Sequence, residues 1–101
     1  MSRLMDDEEL ARAVSTCFLQ DMPQQIDMLR GCLDAGDARG AEIRAHTIKG
    51  ASANIGGERL REVAFEMEKA GKAGDLSAIK ARMADLESQF EARSEAMTEK
   101  L

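Results

Sequence analysis

The last third of the chain places apolar side chains at alternating steps of three and four residues: Leu76, Ile79, Met83, Leu86 and Phe90. That spacing lines one face of an α-helix, whereas a half-buried strand would alternate every second residue. The same period recurs upstream. Leu60, Val63, Ala64, Met67 and Ala70 or Gly71 form one stripe, and Ala41, Ala45, Ile48, Ser52 and Ile55 another. Ile26, Leu29 and Leu33 make a third, and Leu10, Val14, Cys17 and Phe18 a fourth. A helix with one apolar stripe must bury it against another element, so several such helices in one short chain predict a bundle.

The breaks between stripes set the helix ends. Gly36 suits a C-terminal cap and Asp37 the next N-cap, predicting a helix from about Ala38 to Asn54. Gly56-Gly57 breaks that helix, the next begins near Glu58, and Gly74-Asp75 is another stop and start. Asp6 with Glu9 predicts an N-terminal cap for a first helix ending near Gln20 or Asp21. Asp21-Met22-Pro23 then reads as a restart, because proline is tolerated in a first turn. The expected fold is all-α: an antiparallel four-helix bundle with an additional short N-terminal helix. A coiled-coil hairpin is favoured only by the final stripe, and the glycine breaks argue against one long rod. The 101 residues make one domain. Residues 1–5 and those from about 92 to 101 are expected to fray, although the last helix can extend to Met97.

Three Phe, no Trp and no Tyr leave Leu, Ile, Met and Ala to fill the core, a composition that favours helices over a sandwich or barrel. A formal charge of −5 argues against nucleic acid, whose phosphates require clustered Lys and Arg. No apolar run approaches a membrane span, and no signal-peptide pattern opens the chain, so a cytoplasmic protein is expected. Cys17 and Cys32 sit among apolar neighbours and read as small buried hydrophobes. With a single histidine, they give no zinc spacing, so no metal or other cofactor of its own is expected.

That histidine is the chemical centre of the sequence. In Ala45-His46-Thr47-Ile48-Lys49-Gly50-Ala51-Ser52-Ala53-Asn54-Ile55-Gly56, Lys49 and Gly50 lie three and four residues beyond His46, on one helical face. Ala45, Ile48 and Ile55 fall on a different, inward face. Gly50 is an odd choice, since glycine inside a helix costs about 1 kcal/mol relative to alanine. Either a neighbouring helix presses on it, or the missing side chain lets a partner approach the ring.

A Ser-His-Asp relay needs a nucleophile and an orienting carboxylate, and a small helical bundle has little room for a cleft. An exposed imidazole can instead hold a group covalently. One ring nitrogen carries a free lone pair that can attack phosphorus in line, and Lys49 offers charge-assisted hydrogen bonds to phosphoryl oxygens.

The run from His46 to Gly56, with Leu60, Met67 and Glu68 downstream and Phe18-Leu19, Leu29 and Leu33 upstream, resembles the motif of histidine-containing phosphotransfer domains. The likeness covers roughly residues 8 to 90. Ile48 and Met67 stand where leucine is usual, mild core changes. The resemblance implies a four-helix bundle with an extra N-terminal helix. It implies phosphorylation of His46 on its outer nitrogen, and transfer to and from an aspartate of a response-regulator receiver domain. Lys49 matches the phosphate-facing lysine, Gly50 the glycine that keeps the site open, and Gly56 the turn glycine. Glu68 matches a polar residue that touches the inner ring nitrogen. A carboxylate there would accept the inner N–H and orient the ring; otherwise Glu68 is a surface acid beside Glu62 and Glu66.

On this reading the protein is a phosphotransfer intermediate rather than a free-standing kinase. It would be a monomer working with receiver domains and a hybrid sensor histidine kinase, with Mg2+ supplied by the receiver. Gly50, Ala53, Arg39, Glu42, Lys69 and Lys72 are the candidate docking residues, the lysines suiting an acidic receiver pocket. Two alternatives remain open: a non-transferring helical adaptor, or the phosphoacceptor module of a larger sensor kinase. A kinase dimerisation hairpin fits less well, because it would follow the histidine with an acid and Thr47 stands there.

Overall fold

The computed structural model describes the backbone of residues 7–100 and the side chains of residues 12–97. Asp6 and the lead-in of residues 1–5 lie outside these, as does the side chain of Leu10. The described residues form four helices and no strand: α1 (Asp7–Ala35), α2 (Ala38–Asn54), α3 (Glu58–Lys72) and α4 (Leu76–Lys100). Links this short make consecutive helices run back antiparallel to one another. α1 packs on α2, α2 on α3, α3 on α4, and α4 returns to α1, which closes the bundle.

The links form as their residues dictate. Gly36 (φ +72°) and Gly74 (φ +72°) take the left-handed conformation that side chains with a Cβ rarely adopt. Each is followed by an aspartate that caps the next helix. Asp37 Oδ1 accepts from the Gly40 N–H at 2.8 Å, and Asp75 Oδ1 from the Ala78 N–H at 3.1 Å.

The expected short N-terminal helix is not separate. α1 is a single helix of 29 residues with Pro23 inside it. The physical reason lies in the stripe. Phe18, Met22, Ile26, Leu29 and Leu33 are all buried, and their steps of four, four, three and four stay in phase across the proline. An interior proline costs about 3 kcal/mol, whereas burying each large apolar side chain contributes about 1.5–3 kcal/mol. Pro23 itself sits on the exposed side.

The core holds Ala41, Ala45 and Ile48 from α2, Leu60, Val63, Ala64 and Met67 from α3, and Ile79, Leu86 and Met97 from α4. Met97 carries the apolar stripe of α4 to its far end. Phe18 and Phe90 tilt against one another with centroids 5.7 Å apart, joining α1 to α4. Arg30 pairs with Glu87 across the same junction. Ser52, polar but fully buried, donates to the Ile48 carbonyl at 2.7 Å and leaves no hydroxyl proton unpaired.

The cysteines correct the sequence reading. Cys17 is exposed and Cys32 half-buried. Val14 is likewise 37% exposed. The groove between the first half of α1 and the end of α2, lined by Val14, Cys17, Thr47, Ala51 and Ile55, is left open.

Candidate functional site: a histidine held by a buried glutamate

α2 turns its inward stripe of Ala41, Ala45, Ile48 and Ser52 to the core. The residues between them therefore face out, and His46 stands on that outer flank with its side chain 66% exposed. α3 runs alongside, and its Glu68 reaches across from a buried position, only 6% exposed. Glu68 Oε2 lies 2.9 Å from His46 Nδ1. Glu68 Oε1 lies 2.7 Å from Lys49 Nζ, an ion pair rather than an aligned hydrogen bond. One carboxylate thus holds both the imidazole and the ammonium that follows it by a turn.

The electrostatics favour an ionised Glu68. Burial by itself would raise its pKa, because it strips water from the charged form. The close ammonium of Lys49 and the hydrogen bond and charge of His46 outweigh that, and the carboxyl is held below its ordinary value. An ionised carboxylate only accepts, so a neutral ring keeps its proton on Nδ1. Nε2 is then the nitrogen with the free lone pair, on a ring largely open to water.

Gly50 resolves one alternative. A Cβ built there would meet nothing within 4 Å, so no neighbouring helix presses on it. The gap lies open one turn past the histidine.

Lys49 is only half-exposed, because its ammonium is drawn toward Glu68 and also lies 5.1 Å from the centre of the Phe65 ring. Lys69 Nζ lies 4.7 Å from the same ring. Lys49, Gly50, Ala53, Arg61 and Phe65 line an open hollow of about 340 Å³. Among the described residues, no group of three or more His, Cys, Asp or Glu could hold a metal ion.

The structure brings His46, Lys49, Gly50 and Glu68 together, and Glu68 is no surface acid. Of the candidate docking residues, Arg39, Gly50, Ala53, Lys69 and Lys72 are exposed, while Glu42 is half-buried. Two apolar residues of this neighbourhood escaped the sequence reading: Ile43, 44% exposed, and Phe65, 42% exposed. Both precede a site residue by three, Ile43 before His46 and Phe65 before Glu68. That spacing puts each on the face of its partner and could have flagged them.

The described residues thus form a four-helix bundle that presents one imidazole with Nδ1 held and Nε2 open. The family model of the Hpt domain matches residues 13–97, and the chain belongs to this family of histidine-containing phosphotransfer domains. Domains of the family take part in histidine phosphotransfer in two-component signalling, with receiver domains and histidine kinases. No curated protein and no solved structure matches the chain. No helix among the described residues is long and apolar enough to cross a membrane.

Proposed function

We propose that this chain is a histidine phosphocarrier that relays a phosphoryl group between aspartates of receiver domains. The observation that carries the reading is the 2.9 Å contact of His46 Nδ1 with buried Glu68 on a ring otherwise open to solvent. The Nε2 lone pair attacks phosphorus in line, the bond from phosphorus to the receiver's aspartate oxygen breaks, and the carboxylate leaves. The ring carries the positive charge that results, and Glu68 steadies it through the Nδ1 proton. Onward transfer is the same exchange reversed, with a second receiver's carboxylate as the attacking group.

Lys49 supplies charge to the phosphoryl oxygens, turning from Glu68 toward them as the group arrives. Gly50 leaves room for the receiver's backbone. The receiver brings the Mg2+ that its own acidic pocket binds. The surface for it comprises Arg39, Gly50, Ala53, Lys69 and Lys72, with Ile43 and Phe65 as apolar contacts. The protein works in the cytoplasm as a monomer, downstream of a hybrid sensor kinase. A phosphoacceptor module within a longer kinase would use the same atoms.

The test is to mix the protein with a receiver domain phosphorylated on its aspartate. Acid-labile label on the wild type and none on His46→Gln supports the carrier. Tight binding without label on either would make the domain an adaptor.

A further inference from the structure

Gly71 is a second glycine inside a helix whose cost helix formation does not explain, and its surroundings are the opposite of those at Gly50. It is buried on α3, one turn beyond Glu68. A Cβ there would lie 2.8 Å from Glu42 Cβ, 2.9 Å from Glu42 Cα and 3.0 Å from Glu42 N. These atoms are backbone or rooted in it, so none can swing aside. Glu42 in turn precedes His46 by four residues on α2. The contact of Gly71 with Glu42 and the contact of Glu68 with His46 are therefore neighbouring rungs between the same two antiparallel helices.

We infer that Gly71 is a positioning residue: its missing side chain sets the spacing of α2 and α3 that lets Glu68 reach His46 Nδ1. Ordinary van der Waals contact begins near 3.4 Å, so a methyl group at residue 71 forces the helices apart by about 0.6 Å at this rung. The same displacement carried to the next rung takes the 2.9 Å contact to the limit of a hydrogen bond. Fully buried Ala41, Ala45 and Ala64 allow close approach along the pair as well.

The inference concerns the resting protein and is tested there, so it stands or falls apart from the phosphocarrier reading. The measurement is 15N NMR of the imidazole of full-length Gly71→Ala, at a pH where the ring is neutral. In the wild type the two ring nitrogens are widely split, as the Nδ1–H tautomer requires. In Gly71→Ala the split narrows as the ring averages over both tautomers, matching the change caused by Glu68→Ala. Gly31→Ala is the control, since a Cβ at Gly31 meets nothing within 4 Å; it leaves the spectrum unchanged and serves as a stabilised background. If Gly71→Ala does not fold there, Glu42→Gly/Gly71→Ala removes the nearest clash but keeps the two backbone contacts, and the split narrows in it too. In a phosphotransfer assay Gly71→Ala slows uptake about tenfold. A wild-type split in a folded Gly71→Ala or in the double variant overturns the inference.

Discussion

Replacing Gly50 separates access from packing. Glycine inside a helix costs about 0.8–1 kcal/mol relative to alanine, because it loses more backbone freedom on folding. At Gly50 a Cβ meets nothing within 4 Å and φ is negative, so alanine recovers that cost with no clash to offset it. Gly50→Ala is expected to stabilise the domain by about 0.5–1 kcal/mol. For a domain near 100 residues, 1 kcal/mol shifts Tm by about 4–8 °C, so the expected rise is about 2–8 °C. Circular dichroism at 222 nm during a thermal scan, with urea midpoints as a check, measures it. Gly50→Leu projects a larger group into the same open space beside the ring. Its stability should stay near or above wild type, while transfer from a phosphorylated receiver falls at least about tenfold. A lowered Tm for Gly50→Ala would refute the open-space argument. Wild-type transfer by Gly50→Leu would refute the access argument, whatever the stability.

Other perturbations follow from the same contacts. Glu68→Ala should slow phosphoryl transfer by about tenfold or more while costing only about 1–2 kcal/mol, since His46 can turn to water; unchanged transfer with both donor and acceptor receivers would remove Glu68 from the mechanism. Because the folded protein holds the Glu68 carboxyl below its ordinary value of 4.5, its contribution is fully present above that pH and is lost as pH falls through the lower folded value. Urea midpoints of Glu68→Gln should therefore fall less steeply than wild type below pH ~4.5, and parallel curves would contradict this. Lys49→Met leaves the buried carboxylate with His46 alone and should destabilise by about 1–3 kcal/mol at neutral pH, read from the same midpoints. Pro23→Ala restores the N–H that the Leu19 carbonyl lacks and should stabilise α1 by up to about 3 kcal/mol; a loss of stability would mean that the proline shapes the helix usefully.

Much of this architecture was written in local pattern. Gly36-Asp37 and Gly74-Asp75 are short-range signals, acting through one turn of backbone, and they give four of the helix boundaries directly. The inward stripe of α2 told which way His46 faces, because a helix cannot turn one side chain independently of the rest. Pro23 misled because its rule is local while the competing term is not. The stripe from Phe18 to Leu33 outweighs one lost hydrogen bond only when the facing helices are in place. Val14 and Cys17 misled for a related reason: periodicity assigns a face, but among the described residues no helix closes the groove over that face.

Within the site, Lys49 and Gly50 were legible as helical neighbours of His46. Glu68 was not, since it lies 22 residues away on another helix and the four acids of α3 look alike in one dimension. Family resemblance singled it out, and burial now distinguishes it from Glu62 and Glu66. The capture of Lys49 by Glu68 and Phe65, and the close contact at Gly71, depend on how α2 and α3 approach one another, which no spacing along the chain encodes.

The central claim is that Glu68 occupies one ring nitrogen so that the other can carry phosphorus. Phosphorylating 15N-histidine-labelled protein from a receiver and recording 31P–15N coupling tests it most directly. Coupling of phosphorus to Nε2 of His46, with Nδ1 still protonated, is the predicted result. Phosphorus on Nδ1, on another residue, or on no residue at all would contradict it.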